Sequence, residues 1–195
     1  MCAEDQLAEL GPVFRWADAH GAGVSQSRLY RWLEAGLVER VGHGLYLRSD
    51  APAIDLDLIE VAIAAPKATL CMASALARHG LIDEIPSEIH LALPKNRNRP
   101  KLSAPVRWHH FDPATFTIGR GVLEVAPGFS IWLYDAPRSI VDAYRLRHLD
   151  GHEMAREALR TWVQQPGSQP SALLQVAQRF PKALAALRND LEVLL

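Results

Sequence analysis

The stretch from Gly23 to Arg48, GVSQSRLYRWLEAGLVERVGHGLYLR, constrains the chain most, because it calls for a helix and a hairpin in immediate succession. Ser25 offers a side-chain oxygen to the amides that a starting helix leaves unpaired. The run QSRLYRWLEA contains no Gly or Pro, and Leu29, Trp32 and Leu33 recur at i, i+3 and i+4 to form one apolar face. Gln26, Arg28 and Arg31 point elsewhere, with Tyr30 at the margin. Gly36 stands where a left-handed residue closes a helix. LVERV and LYLR then flank Gly42-His43-Gly44, two β-prone runs around a turn. Helix, tight turn, helix and hairpin make the plan of a winged helix-turn-helix, whose second helix enters the major groove while the hairpin lies along the backbone. The same degenerate pattern also fits an αββ fragment of some other α/β domain.

Upstream, Leu7, Leu10, Val13, Phe14 and Ala17 follow roughly helical spacing, interrupted by Gly11-Pro12. This predicts a short helix, a break, and a second helix running to His20, with residues 21–23 as the turn. Phe14 and Ala17 would pack against Leu29 and Leu33.

Charge bears on what such a domain can hold. The 195 residues carry a formal net charge of −1, so any nucleic-acid affinity must be local. In the first fifty residues, Arg15, Arg28, Arg31, Arg40 and Arg48 face Glu4, Asp5, Glu9, Asp18, Glu34, Glu39 and Asp50. Arg28, Arg31, Arg40 and Arg48 lie on the segments that would meet DNA, too few for tight binding by one copy. A second copy or a second basic surface is therefore expected. Between Glu88 and Asp112 no acid occurs, while Lys95, Arg97, Arg99, Lys101 and Arg107 supply five positive charges. The loop KNRNRPK is either a solubilising surface or an auxiliary phosphate contact formed by Lys95, Arg97, Arg99 and Lys101.

Ser49 to Ala53 is a polar, Pro-containing break. The expected organisation is α+β: a winged helix-turn-helix over residues 1–50, then a mixed α/β domain over residues 54–195. In that second part, IDLDLIEVAIAAP reads as a helix capped near Asp55, and LCMASALARHGL as a helix with Leu70, Ala73, Leu76 and Ala77 inward and Gly80 at its end. EIHLALP, PVRWHHF, VLEVA and SIWLYD read as strands of a small sheet. Asp135 caps a helix with Pro137 in its first turn and Arg138 and Asp142 paired at i,i+4. From about residue 151 the chain ends in a helical tail.

Chemistry is harder to find. Asp55 and Asp57 have the carboxylate spacing that nucleotidyltransferases use for Mg²⁺, yet no Gly-Ser pair precedes them at a suitable distance, and helix capping explains them better. No Asp/Glu-x-Lys triplet occurs, nor any Walker loop, dinucleotide fingerprint or G-x-S-x-G elbow. His109 and His110 are adjacent, so on a strand they face opposite sides and do not readily share a metal. Cys71 falls on an apolar helix face and reads as core, and with Cys2 it is too isolated for zinc and too sparse for a disulfide scaffold. No apolar run spans a bilayer, and MCAEDQLAEL is too acidic for a signal peptide. The expectation is a cytoplasmic, non-enzymatic protein without catalytic residues, metal or cofactor.

Three segments in order resemble the AbiEi-type antitoxins of bacterial abortive-infection toxin–antitoxin systems. Gly36-Leu37 and Arg40-Val41-Gly42-His43-Gly44-Leu45-Tyr46 match that family's winged-helix pattern. Ser74-Ala75-Leu76 with His79-Gly80-Leu81, and Asp135, Arg138, Ser139 and Asp142, match its two later motifs, with Ser139 where the family more often has Thr. The similarity runs over roughly residues 5 to 160. It implies an antitoxin that binds inverted repeats upstream of its own operon and represses it. The toxin partner would be a nucleotidyltransferase encoded alongside, in several systems neutralised without a stable complex. The family's second domain looks like a nucleotidyltransferase lacking its active site. On this reading Gln26, Ser27, Arg28 and Arg31 meet the major groove of double-stranded DNA, while Arg40, His43 and Arg48 serve the wing and phosphates. Arg138 and Asp142 are assigned to structure. Two alternatives stay open: an antitoxin that grips its toxin directly through the sheet domain with a vestigial winged helix, and a divergent nucleotidyltransferase or nuclease.

Overall fold

A computed structural model describes residues 3–150 and 152–194; Cys2 and Gly151 lie outside them. The chain divides into two compact units, one running through Ile59 and taking in Glu124–Ser130, the other formed by Glu60–Leu123 and the chain from Ile131 onward.

The first unit begins with helix α1 (Ala3–Ala8), strand β1 (Val13–Arg15), helix α2 (Trp16–Gly21) and helix α3 (Gln26–Glu34). Strands β2 (Val38–Gly42) and β3 (Leu45–Arg48) complete it, and helix α4 (Leu56–Ala64) leads out of it. The three strands form a sheet in the order β1-β3-β2, with both pairings antiparallel. β1 corrects the helix expected to run through Phe14. Pro12 has no amide donor for a helix, while Val13 and Phe14 favour extended backbone and find partners opposite Leu47 and Tyr46. The helix starts afresh at Trp16, with the Arg15 amide donating to the Asp18 carboxylate at 3.0 Å. That shift in start turns Ala17 to solvent and puts Ala19 in the core instead. Leu10, Phe14, Ala19, Val24, Leu29, Trp32 and Val38 form one apolar cluster, with Leu33 and Tyr46 partly buried against it. The tip of a distant hairpin, Glu124–Ser130, joins this unit, where the Arg15 guanidinium sits 4.6 Å from the Phe129 ring.

The second unit carries strands β4 (Thr69–Leu70), β5 (Ile89–Pro94), β6 (Val106–Phe111), β7 (Arg120–Ala126) and β8 (Phe129–Tyr134), the last two reaching into the hairpin tip. Their order is β6-β5-β4-β8-β7, with β4 antiparallel to β5 and parallel to β8, and β5 parallel to β6. The expected helix over LCMASALARHGL starts late. Thr69 and Leu70 are a strand, because they sit between β5 and β8, and helix α5 spans only Met72–Arg78. Cys71 is thus a buried residue at the helix entrance rather than on its face. Asp55 caps α4 as expected, its carboxylate accepting from the Leu58 amide at 3.1 Å.

Helices α6 (Ala136–Arg145), α7 (Arg147–Asp150), α8 (His152–Gln164), α9 (Pro170–Gln178) and α10 (Pro181–Leu194) follow. The last three are no appended tail. Leu159, Trp162, Leu173, Phe180, Leu187 and Leu191 share one core with Leu76, Ile140 and Tyr144.

The expected Arg138–Asp142 pair forms, with Nε donating to Oδ2 at 2.9 Å, and both side chains are fully buried. Nη1 of Arg138 also donates to the carbonyls of Thr115 and Ile118 at 2.7 and 2.8 Å. Gly119 lets this happen: its φ is +68°, and a Cβ there would lie 2.6 Å from Cβ of Arg138. Gly119→Ala is therefore expected to destabilise the protein by at least about 2 kcal/mol, through both strain and overpacking. Urea unfolding measures this, and an unchanged midpoint would contradict the packing described.

Candidate nucleic-acid interface

Helix α3 has two faces set by its sequence. Ser25 caps it, accepting from the Arg28 amide at 3.3 Å, and Gly36 follows its end at φ +66°. Leu29 and Trp32 are buried, whereas Gln26, Ser27, Tyr30, Arg31 and Glu34 are exposed. Ser27, Tyr30, Arg31 and Glu34 fall at i, i+3, i+4 and i+7, so they make a single outward stripe opposite the core. Tyr30, marginal by sequence, lies in the middle of that stripe.

The β2–β3 hairpin presents His43 at an exposed turn. Arg40 is exposed as well, its Nε donating to the Gly42 carbonyl at 3.2 Å where the strand bulges. Arg28 and Arg48 behave differently. Arg28 is half-buried and donates through Nη1 to Oε1 of the buried Gln6 on α1. Arg48 forms a two-bond pair with Asp50, at 2.8 and 2.5 Å, and its Nη1 donates to the carbonyls of Leu7 and Leu10 at 3.2 and 3.1 Å. The Asp50 bond raises the Arg48 pKa and lowers that of Asp50, so both stay ionised. These two arginines fasten α1 to the rest of the unit.

Lys95, Arg97, Arg99 and Lys101 are all exposed on the loop between β5 and β6. The loop is anchored: the Lys95 amide donates to the Phe111 carbonyl at 2.9 Å, and Nε of Arg99 to Nε2 of His110 at 3.1 Å. Glu60 closes its far end, accepting from the amides of Ser103 and Ala104 at 2.7 and 2.9 Å. A pairing that sequence reasoning missed is that of His90 and His109, buried on neighbouring strands with ring nitrogens 3.2 Å apart. Only the parallel register of β5 and β6 brings them together. Among the described residues, no group of three or more His, Cys, Asp or Glu side chains is placed to hold a metal ion. No helix among them is long and apolar enough to cross a membrane.

The stretch that carries α1 to β3 is the one that comparison recognises. Residues 3–49 match the family described as a transcriptional regulator, AbiEi antitoxin. The resemblance drawn from the first of the three motifs is thereby shown for the N-terminal stretch; the motifs around Ser74 and Asp135 lie outside the matched residues. No curated protein matches the chain.

Burial alone would raise the Glu60 carboxyl, but the two amides outweigh it and hold the group below its ordinary pKa. A depressed folded pKa contributes stability above the unfolded value, about 4.3 for Glu, and loses it as pH falls through the folded value. Glu60→Gln should therefore flatten the acid limb of urea-unfolding stability as pH falls below the ordinary Glu value of about 4.3. An acid limb identical to that of the parent would remove Glu60 as the loop's anchor.

Proposed function

We propose that this protein is an antitoxin of an AbiE-like system that binds inverted repeats in its own promoter as a winged helix-turn-helix repressor. The toxin it counteracts would be a nucleotidyltransferase. The observation that carries the reading is the outward stripe of α3, exposed and clear of the core, inside the stretch that matches AbiEi regulators. On this reading α3 is the recognition helix, with Gln26, Ser27 and Arg31 at base edges and phosphates. The β2–β3 hairpin is the wing, with Arg40 and His43 against the backbone. Arg28 and Arg48 act one step back, holding α1 in place.

Lys95, Arg97, Arg99 and Lys101 are the auxiliary phosphate surface of this reading. The few cations on α3 and the wing give one copy weak affinity, so occupancy of an inverted repeat needs two copies. The protein requires no cofactor for this role and catalyses no reaction in it.

The test is a gel shift comparing DNA from immediately upstream of the coding sequence with a shuffled fragment, at two salt concentrations. A shift confined to the upstream fragment, in two steps, is the expected result. Equal, salt-sensitive shifts on both fragments would mean backbone binding only.

Arg31→Ala and Gln26→Ala should each reduce preference for the upstream fragment by about 1–3 kcal/mol per lost base contact. Arg48→Ala should instead lower the melting temperature, because the carbonyls of Leu7 and Leu10 lose their donor. The folded fraction of that variant should keep its sequence preference. Unchanged preference in Arg31→Ala and Gln26→Ala would refute the base contacts.

A further inference from the structure

The first unit uses its aromatic residues consistently, with one exception. Phe14, Trp32 and Phe129 are buried at 2%, 3% and 3% exposure. Trp16 and Tyr46 are half-buried, and each is engaged in a ring pair, with His20 at 5.6 Å and Phe14 at 5.8 Å. Tyr30 keeps 55% of its surface in water. It is the one exposed Phe, Tyr or Trp side chain among the described residues of that unit. It also stands between Ser27 and Glu34 on the outward stripe of α3, beside Arg31.

We propose that Tyr30 is a specificity-determining residue that reads the C5-methyl group of thymine in the major groove. The inference rests on the DNA-binding reading above and names what α3 reads.

Three points of chemistry support it. Each base pair's major-groove edge offers hydrogen-bonding groups, and the apolar group on offer there is the thymine methyl. The apolar edge of a phenol ring suits that methyl, and no other exposed residue of the stripe has such a surface. Ser27 is small and polar, Arg31 is a cation suited to guanine O6 and N7 or to phosphate, and Glu34 is an acceptor suited to cytosine N4. A tyrosine also loses little conformational freedom when it settles on a partner, since only two side-chain torsions are fixed. Covering the ring with a methyl group returns to an apolar environment surface that the free protein leaves in water.

Replacing thymine by uracil removes that methyl and nothing else, which makes the proposal directly testable. The full-length protein is titrated against the upstream fragment and against versions carrying uracil at single thymine positions. The parent, Tyr30→Phe and Tyr30→Ala are compared. Because Tyr30 is exposed, all three should melt at the same temperature, which is checked first.

The parent should lose about fourfold in affinity at one or two thymines of each half-site, the contribution of burying one methyl group. Tyr30→Phe, which keeps the ring, should show the same penalty at the same positions. Tyr30→Ala should bind the unmodified fragment more weakly and be indifferent to those uracils. The proposal is overturned if Tyr30→Ala shows the parent's uracil penalties, or if the parent binds the upstream fragment selectively with no uracil penalty at all. A parent that fails to distinguish the upstream fragment from its shuffled control gives a different result: it removes the DNA-binding reading itself, and this inference with it.

Discussion

The larger unit depends on one buried cation. Arg138 has no exposed side-chain surface, and its guanidinium lies 4.3 Å from the Tyr134 ring and 4.4 Å from the Phe180 ring. It thereby joins the end of β8, the start of α6 and the approach to α10, while its bonds to Thr115 and Ile118 tie down the chain ahead of β7. Burying a charge is costly unless it is paired and hydrogen-bonded. Asp142 supplies the pair, and Arg145 donates to the other oxygen of the same carboxylate at 3.1 Å. Burial pushes the Asp142 pKa up against the pull of these two guanidinium groups. Such a cluster adds little net stability against an apolar replacement, but removing one partner costs about 3–5 kcal/mol. Its contribution is geometric: one guanidinium links α6 to the Tyr134 and Phe180 rings and to the carbonyls of Thr115 and Ile118.

The smaller unit works on another constraint, a shortage of cations. Four arginines lie on α3 and the hairpin, and two of them are drawn into the unit's own structure. That leaves Arg31 and Arg40 outward, with His43 at the turn. On the DNA-binding reading proposed above, such a surface would rely on the identity of side chains along α3 more than on charge. It also explains why bulk composition is silent about the function proposed here: the informative pattern is five exposed positions on a helix of nine residues.

Local signals in the sequence were legible wherever a structural rule acts over a few residues. The Ser25 and Asp135 caps, the glycine after α3, the hairpin turn and strands β5 to β8 all follow from spacing and turn chemistry. The misses share a different cause. β1 and β4 are three and two residues long, and they are strands only because a partner strand lies alongside. Arg28 read as a surface cation because Gln6 is 22 residues away in sequence, and Arg48 because the Leu7 and Leu10 carbonyls that draw it inward are 41 and 38 residues away. The helices after residue 151 looked peripheral because an amphipathic pattern says that a face is buried and not against what. Tyr30 looked marginal for a related reason, since its exposure depends on which residues of α3 the core takes.

The hairpin tip at Glu124–Ser130 has a consequence for how the protein comes into being. The unit that holds α3 is built from the first part of the chain and from a piece that emerges only after more than sixty intervening residues have been made. During vectorial synthesis, early segments fold as soon as their contacts exist. Here the Arg15–Phe129 contact does not exist until the second strand of the hairpin has begun to leave the ribosome. Completion of this unit is thus timed by translation, and a nascent chain stalled before Phe129 lacks part of its own N-terminal structure.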